Sequence, residues 1–431
     1  MPILESVHTA AASPTDGSAR DRHAFFERVA GEFGSPCYLY DAAEIEARAR
    51  ELRSVFPGGA STRLLYSFKS NPMPAVAAEM RRSGAEADLT SPGEVTAALE
   101  AGFDLSRALY GGPGKGIEEL AAAISAGVRH FSVESNRDLI HLARAAEALE
   151  TPVKGLLRLN PLSAPKAKLA MSGVASQFGF EEDVLRATGR ETLALAGEFV
   201  AIAGIHLYWG TQIGEPEALL ACFTKTVEIA EELCQLLGFP LEILNLGGGF
   251  PWPYAHAGHG PDLSPLRDGL AALHASSGSA REAEWWFESG RHLVGSSGTL
   301  LTRVMEIKRS KDEKDFLILD TGIHHLGGMA GLGRIPRFSI DLEVPPARLG
   351  NPEILVDVVG QLCTPLDCIG KKLTLPRVEP GDLLAIPNTG AYGMTASVTG
   401  FLSRPSPAEV LHRGDEILSV HRLRGGHERI L

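Results

Sequence analysis

Residues 64–72 read Leu-Leu-Tyr-Ser-Phe-Lys-Ser-Asn-Pro, an apolar, strand-like run that ends in a lysine. The following stretch, residues 74–83, has apolar residues at three- and four-residue spacing, which predicts a helix. A lysine after a strand is ordinarily a solvated surface residue. In a parallel barrel, however, the carboxyl ends of the strands carry the chemistry, so the role of Lys69 depends on what the rest of the chain forms.

The same alternation of strand and helix continues to about residue 295. Eight apolar runs cover residues 64–68, 85–89, 108–111, 130–133, 155–159, 202–209, 241–246 and 284–287. Helix-like segments cover residues 74–83, 92–101, 117–126, 137–149, 217–237 and 263–275. The segment Ser91-Pro92-Gly93-Glu94 reads as a capping box at a helix start. Eight such units predict an α/β fold, a closed (β/α)8 TIM-like barrel, in preference to an open doubly wound sheet.

After residue 295 the pattern changes to short β-like runs between turns rich in proline and glycine, which predicts a second, mostly antiparallel β domain. The first residues are rich in Ala, Ser, Thr and Gly and predict a loose leader. We therefore expect four parts. They are a flexible leader (1–21), an N-terminal segment that contributes to the β domain (22–45), the barrel (46–295) and the β domain (296–431).

Composition limits the class of protein. Of 431 residues, 44% are hydrophobic and 22% charged, as in ordinary globular proteins. A formal net charge of -12 without a basic cluster argues against nucleic acid as a partner, and no apolar run is long enough to span a membrane. The five cysteines include no C-x-x-C pair, which disfavours a disulfide framework or a metal site and predicts a cytoplasmic location.

Polar or glycine residues stand at the ends of the predicted strands, where a barrel would bring them to one mouth. They are Lys69, Asp88, Arg158, Tyr208, Gly247, Gly248, Gly249 and Glu288. Three glycines after a strand either cradle a phosphate or form a plain tight turn. A carboxylate there either holds a protonated ring nitrogen or pairs with a nearby arginine at the rim. A lysine, a phosphate cradle and a carboxylate on one rim together predict a pyridoxal-phosphate site.

The sequence resembles the fold-type III pyridoxal-phosphate decarboxylases, the family of diaminopimelate, ornithine and arginine decarboxylases, from about residue 34 to residue 411. The matching blocks, in family order, are YSFKSN, ADLTSPGE, GPGK, LRLN, QFGF, GIHLYWGTQ, NLGGGF, ESGRHLV, DVVGQLC, EPGDLL, GAYGM and SRPSPAEV. The resemblance implies a barrel followed by a β-sandwich, the cofactor pyridoxal 5'-phosphate, and a homodimer with shared active sites.

The resemblance also implies a role for individual residues. Lys69 would bind the cofactor covalently, Glu288 would hold the pyridine nitrogen, and Cys363, from the partner subunit, would donate the final proton. The residues implied around the phosphate are Gly247, Gly248, Gly249, Thr211, Arg291 and Tyr392. Asp88 and Arg158 would border the ring. A cysteine is more often a small buried hydrophobe, but the block DVVGQLC favours the catalytic role for Cys363.

Two departures from the family pattern bear on the substrate. Tyr208 stands where the family usually places a histidine over the ring, with His206 on the same strand face. A tyrosine can stack on the ring but carries no imidazolium charge. Thr364 follows Cys363 where relatives that act on basic amino acids have an acidic residue. Loss of that charge-assisted hydrogen bond, worth about 1.5–3 kcal/mol, predicts a substrate whose far end is neutral, acidic or masked.

A further block, Asp320-Thr321-Gly322-Ile323-His324-His325, is expected on the substrate side, with Asp320 as a substrate-binding residue. Adjacent histidines point to opposite faces of a strand, so His324 and His325 are expected as a surface pair on a loop rather than as metal ligands. Arg334 and Arg337 are candidates for binding a substrate carboxylate, and an exposed basic loop is the alternative.

We therefore predict a pyridoxal-phosphate enzyme that removes the α-carboxylate of a non-standard, acidic or carrier-linked amino acid in specialised metabolism. The alternative substrate is meso-diaminopimelate in lysine biosynthesis. An amino-acid racemase on a similar barrel is disfavoured by Cys363 and the β-domain blocks. An inactive regulatory homologue is disfavoured because the residues expected to carry the chemistry are all present.

Overall fold

The computed structural model of the protein describes residues 17–57, 61–160, 176–326 and 339–425. These residues divide into two units. The barrel unit comprises Ile45–Trp252 and Gly260–Leu293. The β unit comprises the described residues within Met1–Glu44, Pro253–His259 and Val294–Leu431. None of the helices in the described ranges is both long enough and apolar enough to cross a membrane.

The strands in chain order are β1 (Cys37–Asp41), β2 (Thr62–Ser67), β3 (Glu86–Leu89), β4 (Leu109–Tyr110), β5 (His130–Val133), β6 (Val153–Asn160), β7 (Phe180–Glu181), β8 (Val200–Leu207), β9 (Ile243–Asn245), β10 (Glu284–Ser289), β11 (Gly298–Arg309), β12 (Asp315–Leu319), β13 (Glu353–Val359), β14 (Cys368–Pro376), β15 (Leu383–Ile386), β16 (Ala408–Arg413) and β17 (Glu416–His421). The α-helices are α1 (Gly17–Phe33), α2 (Ala42–Arg53), α3 (Pro74–Arg82), α4 (Pro92–Glu100), α5 (Ile117–Ser125), α6 (Asn136–Ala148), α7 (Glu182–Leu193), α8 (Pro216–Leu237), α9 (Pro265–Ser276) and α10 (Arg291–Val294).

Eight parallel strands of the barrel unit close into a ring. The order is β2, β3, β4, β5, β6, β8, β9 and β10, and β10 pairs with β2 to close it. The short strand β7 pairs with β6 outside the ring. The predicted closed (β/α)8 barrel is therefore confirmed, and each of the eight apolar runs in the sequence contributes one strand of the ring.

The barrel strands are nearly continuous apolar runs because both of their faces are covered. One face packs against helices, and the other fills the barrel interior with side chains from alternate strands. The interior cluster is Leu65, Leu109, Leu156, Ala203, Ile243 and Trp286, all buried. These side chains form a packed core, so the site residues can lie only at the ends of the strands.

The predicted capping box at α4 is present in modified form. Ser91 Oγ accepts a hydrogen bond from the Glu94 backbone N–H at 3.2 Å, as an N-cap residue should. The Glu94 carboxylate, however, accepts from the Thr90 backbone N–H at 2.6 Å. The cap therefore also fixes the residue that leads out of β3.

The β unit is built on one network of strands in the order β14, β13, β12, β11, β1, β16 and β17, with β15 pairing with β11. Most of these pairs are antiparallel, as predicted; the β1–β16 and β12–β13 pairs are parallel. Helix α1 covers one face with Phe25, Phe26 and Val29, and these pack into a core with residues of five strands, among them Leu39 and Leu301. Residues 37–40, which follow α1, thus form most of β1 and belong to the β unit.

Two domain boundaries differ from the prediction. Helix α1 begins at Gly17, so the predicted leader, 1–21, extends too far; residues 1–16 lie outside the described residues. The segment Pro253–His259, predicted within the barrel, groups with the β unit. Hydrogen bonds explain this grouping, because Asn388 Nδ2 donates to the His256 carbonyl at 2.6 Å and the Tyr254 hydroxyl donates to the Tyr392 carbonyl at 3.0 Å.

Candidate active site

Lys69 lies in the short 3-10 turn Phe68–Ser70 that follows β2, and Asp88 lies in the neighbouring strand β3. Lys69 Nζ is 3.8 Å from Asp88 Oδ2, and the lysine side chain is 47% exposed whereas that of Asp88 is 5% exposed. Ser67 Oγ donates to the same Asp88 oxygen at 2.7 Å. Burial raises the pKa of Asp88, the charge of Glu288 raises it further, and Lys69 and Ser67 oppose the shift. The lysine amine thus stands at an accessible rim beside a fixed carboxyl group.

Glu288, near the end of β10, is buried and held by its neighbours in the ring. Asn245 Nδ2, on β9, donates to Glu288 Oε1 at 2.8 Å. His206 Nε2, on β8, lies 3.3 Å from the same oxygen, at an ion-pair distance rather than in a well-aligned hydrogen bond. The carboxylate is therefore oriented by the Asn245 amide, with the His206 ring beside it.

His206 links Glu288 to the far side of the barrel mouth. Its Nδ1 is 2.8 Å from Ser132 Oγ on β5. Burial lowers the pKa of His206 to about 3, with the charge of Arg158 as the next cause, so the imidazole is neutral at neutral pH. A neutral ring brings no positive charge to the Glu288 side chain. Neither Asn245 nor Ser132 stands out in the sequence, because their partners lie on strands far away along the chain.

The glycines 247–249 follow β9 and pack tightly against the end of β10. Gly247 has a φ of +68°, and its N–H donates to Asn245 Oδ1 at 2.8 Å. A Cβ added to Gly248 would lie 2.2 Å from the Glu288 carbonyl oxygen, far inside contact distance. Only glycine therefore fits here, and the loop brings main-chain N–H groups beside Glu288 and toward the rim.

Arg158, on β6, is engaged with an acidic partner. Its Nη1 donates to Glu134 Oε1 at 2.8 Å, and Glu134 Oε2 accepts from the Gly179 N–H at 3.2 Å. The Arg158 guanidinium also lies over the Phe178 ring, 4.9 Å from its centroid. The arginine is thus held in one orientation at the end of its strand.

The remaining predicted residues divide between the two units. Tyr208 and Thr211 follow β8, and Arg291 begins α10, all in the barrel unit. Tyr392, Cys363, Thr364 and Asp320 belong to the β unit. Asp320 Oδ1 accepts from Thr302 Oγ1 at 2.7 Å and from the Arg303 N–H at 2.9 Å. Arg334 and Arg337 lie outside the described residues.

Cys363 is exposed on the loop of residues 360–367 between β13 and β14, here called the Cys363 loop. Asp367 holds this loop from inside: its Oδ2 accepts from the Leu362 N–H at 2.7 Å and its Oδ1 from the Ile323 N–H at 2.8 Å. Burial raises the pKa of Asp367. Cys363 and Leu366 consequently face outward, and Leu366 is 58% exposed.

The prediction of a surface histidine pair is wrong. His324 and His325 are 0% and 3% exposed, and their ring centroids are 3.7 Å apart. The backbone turns at this point, since the His325 N–H donates to the carbonyl of Gly322 at 3.0 Å, and both rings fold inward. The Tyr38 hydroxyl fixes the turn by donating to the His325 carbonyl at 2.5 Å.

Comparison with known proteins identifies the family. Residues 42–295 match the family model described as "Pyridoxal-dependent decarboxylase, pyridoxal binding domain". The chain belongs to this decarboxylase family. The match spans the barrel that carries Lys69, the glycines and Glu288.

Known relatives align with nearly the whole length of this chain. It is 33% identical over 396 residues to L-glutamyl-(BtrI acyl-carrier protein) decarboxylase of Niallia circulans. The aligned residues cover 90% of this chain and 91% of the relative. The chain is 30% identical to a diaminopimelate decarboxylase of Archaeoglobus fulgidus, covering 94% of each. The solved diaminopimelate decarboxylase of Helicobacter pylori, complexed with L-lysine, superposes with a TM-score of 0.80 at 25% identity, covering 93% of this chain and 97% of that one.

These relationships show that the protein is a carboxy-lyase that decarboxylates an amino acid with pyridoxal phosphate as its cofactor. The barrel mouth fits that cofactor. It offers a primary amine at an exposed rim, a buried carboxylate held by an amide, and a backbone cradle in which a Cβ at Gly248 would collide with the next strand. These are the groups needed to bind an aldehyde, a ring nitrogen and a phosphate.

Proposed function

We propose that the decarboxylase acts on an α-amino acid attached to an acyl carrier protein, with an L-glutamyl group as the expected substrate. The carrier and the glutamyl group are suggested by the similarity to L-glutamyl-(BtrI acyl-carrier protein) decarboxylase. The structural observation that supports a substrate with a masked far end is the orientation of Asp367. It is the carboxylate of the Cys363 loop, and both of its oxygens accept backbone hydrogen bonds within the β unit. The loop therefore presents Cys363 and Leu366 outward, with Thr364 half-buried beside them, and none of the three carries a carboxylate.

A free diamino acid carries an ammonium group at its far end, and an uncharged loop offers that group no charge-assisted partner. A glutamyl group bound through its side-chain carboxylate as a thioester has no far-end ammonium. Thr364 is half-buried, and its Oγ1 accepts from the Leu366 N–H at 3.3 Å. A neutral, partly apolar loop suits such a masked substrate better than it suits meso-diaminopimelate.

We assign the residues around the cofactor as follows. Lys69 would hold the cofactor through its amine, Glu288 would pair with the pyridine nitrogen, and the glycines at 247–249 would receive the phosphate. Thr211, Arg291 and Tyr392 would complete the phosphate site, and Tyr208, Asp88 and Arg158 would border the ring. When bound, the cofactor takes up the electron pair that remains after CO₂ leaves the α-carbon.

Cys363 would supply the proton that replaces the lost carboxylate at the α-carbon. As the family resemblance implies, we place this residue in the site of the second subunit of a homodimer; it lies on an exposed loop of the β unit. Its Sγ would give up a proton to the carbon as the new C–H bond forms. The thiolate left behind would be reprotonated from solvent before the next turnover.

The substrate assignment is tested by measuring CO₂ release from L-glutamate labelled at the α-carboxylate. The glutamate is presented as the thioester on a phosphopantetheinylated acyl carrier protein, as the thioester of N-acetylcysteamine, and as the free amino acid. We expect release from the carrier thioester to exceed that from the free acid. Efficient turnover of meso-diaminopimelate with none of the thioester would overturn the proposal and favour the lysine-pathway alternative.

Two controls accompany this assay. The purified protein with cofactor should show visible absorbance that borohydride abolishes; a protein without that chromophore would be an inactive homologue.

The variant Thr364→Glu should raise any trace CO₂ release from meso-diaminopimelate, since it introduces a carboxylate into the Cys363 loop. The variant Thr364→Gln, of similar size and without charge, should not raise it. Equal effects of the two variants would mean that residue 364 does not contact the far end of the substrate.

A further inference from the structure

The β unit contains a cavity of about 260 Å³ that the chemistry at the barrel mouth does not use. Its walls include Ser35, Asp320, His324, Gln361, Arg404 and Arg422, all within the β unit. The two arginines are exposed, so the cavity opens to solvent on their side. It is large enough for a small anionic group together with part of an attached chain.

Buried polar atoms in the wall have no hydrogen-bond partner among the described residues. They are Ser35 Oγ and both ring nitrogens of His324. His324 is 0% exposed, so neither water at the surface nor the described protein satisfies its ring. Leaving a buried polar group unpaired costs about 1–3 kcal/mol, and such groups in native proteins commonly mark a ligand or ion site.

The charges at the cavity favour an anion. In the described part of the chain, the Arg404 guanidinium donates to the Gln361 side-chain oxygen at 2.5 Å, and Arg422 donates to the Phe33 carbonyl at 3.4 Å. These acceptors are neutral, so neither arginine charge is compensated by them. One oxygen of the Asp320 carboxylate is taken up by Thr302 and Arg303.

The donor geometry narrows the class of anion. Two guanidiniums present planar forks of N–H donors that match the oxygens of phosphate, and the serine hydroxyl and an imidazole N–H add single donors. Burial lowers the pKa of His324 to about 4, with Arg404 as the second cause, so the ring is neutral and offers one N–H at neutral pH. A phosphate group can accept from more than one of these donors because it has several oxygens.

We infer that this cavity binds the phosphate group of a phosphopantetheine arm, the prosthetic group through which an acyl carrier protein presents its substrate. This inference rests on the proposed carrier-linked substrate. The chain connects the cavity to the Cys363 loop, since Gln361 forms part of the wall and lies two residues before Cys363. Ile323, adjacent to His324, donates to Asp367, the residue that holds the loop from inside.

The test measures binding without turnover, by calorimetry on the full-length, cofactor-loaded enzyme. The probes are phosphopantetheine, pantetheine without phosphate, and inorganic phosphate. We expect phosphopantetheine to bind and pantetheine to bind about tenfold more weakly or not at all, because only the phosphate meets the arginines. If inorganic phosphate binds as tightly as phosphopantetheine, the site is one for free phosphate and the assignment to the carrier arm is overturned.

Variants separate the site from general charge effects. Arg404→Gln and Arg422→Gln should each weaken phosphopantetheine binding about tenfold, whereas Arg404→Lys should weaken it less because the charge remains. Arg377→Gln is the matched control, since Arg377 is an exposed arginine of the same unit whose side chain pairs with Glu379 instead. Urea unfolding curves like that of the wild type would show that each variant is folded.

Two results would overturn the inference: unaltered affinity in both cavity variants, or no binding of phosphopantetheine to the wild-type enzyme. Neither depends on catalysis, so they are distinct from failure of the proposed function. That failure would appear as absence of CO₂ release from the carrier thioester, even if phosphopantetheine binds.

Discussion

The Asn245 side chain donates to the Glu288 carboxylate at 2.8 Å, and its carbonyl oxygen accepts from the N–H of Gly247. One amide therefore connects the proposed ring-nitrogen partner to the proposed phosphate cradle. Its two ends are not interchangeable, because the NH₂ group must face the carboxylate and the oxygen must face the backbone donor. We regard Asn245 as a positioning residue that fixes both the Glu288 carboxylate and the Gly247 backbone.

Replacing Asn245→Asp tests this role. The new carboxylate would face Glu288 and, by like-charge repulsion, favour a protonated Glu288, which cannot pair with a pyridinium. We expect the rate of CO₂ release to fall about 10–100-fold, the equivalent of one lost charge-assisted hydrogen bond. The cofactor absorbance should also change its pH dependence, which simple loss of packing would not cause. Asn351→Asp, a change of the same type in the β unit, is the control and should leave both properties unaltered.

The glycine loop gives a second prediction. Gly248→Ala would place a methyl group 2.2 Å from the Glu288 carbonyl oxygen, so the loop or the end of β10 has to move. We expect a loss of stability of about 1–3 kcal/mol in urea unfolding, together with weaker retention of the cofactor on dialysis. Gly214→Ala is the matched control, because nothing lies within 4 Å of a Cβ at that position. Equal behaviour of the two variants would contradict the proposed cradle.

The barrel can be predicted from the sequence because each of its strands is marked by a local run of apolar residues. The predicted segments 74–83, 92–101 and 117–126 correspond to α3, α4 and α5 with ends shifted by a residue or less. The sequence pattern does not reveal helix α7, nor the start of α1 within the predicted leader. Both helices have low mean apolar content, so few apolar residues mark them in the sequence, and they are stabilised by tertiary packing of their buried face.

The contacts among the site residues cannot be predicted from local sequence patterns. Ser132, His206 and Glu288 lie on β5, β8 and β10, and their contact depends on the register of a closed ring rather than on spacing along the chain. The inward turn of His324 and His325 likewise depends on Tyr38, which is nearly three hundred residues away. An acidic residue near a cysteine can be read from sequence, but only the fold reveals that Asp367 points inward.

Histidines whose pKa is lowered in the folded protein predict loss of stability in acid. Burial lowers the pKa of His130 to about 4, with Arg63 as the next cause, whereas an unfolded histidine has its ordinary pKa of 6.5. Between these values the unfolded chain binds one more proton, so stability is full above pH 6.5 and falls as the pH drops toward 4. The slope for this one residue is at most about 1.4 kcal/mol per pH unit.

The variant His130→Phe should reduce that slope when urea unfolding is measured between about pH 7 and pH 4.5. Phenylalanine keeps an aromatic ring against Trp286, whose centroid lies 5.1 Å from that of His130, but it cannot bind a proton. Part of the slope should remain, because His206, His324 and His325 also have lowered pKa values. Phe131→Leu, the next residue of β5, is the control: it should lower stability by a similar amount at every pH.

The proposal that each active site combines Lys69 of one subunit with Cys363 of the other predicts complementation between inactive subunits. If each site of a homodimer combines Lys69 of one subunit with Cys363 of the other, Lys69→Ala and Cys363→Ala proteins should each be nearly inactive alone. Mixed in equal amounts and allowed to exchange, half of the dimers are hybrids, and each hybrid holds one intact site, so activity should recover to about one quarter of wild type. CO₂ release after co-expression or co-refolding measures this recovery. A mixture of Lys69→Ala with the double variant is the control and should stay inactive; if the first mixture stays inactive as well, the two residues act within one subunit.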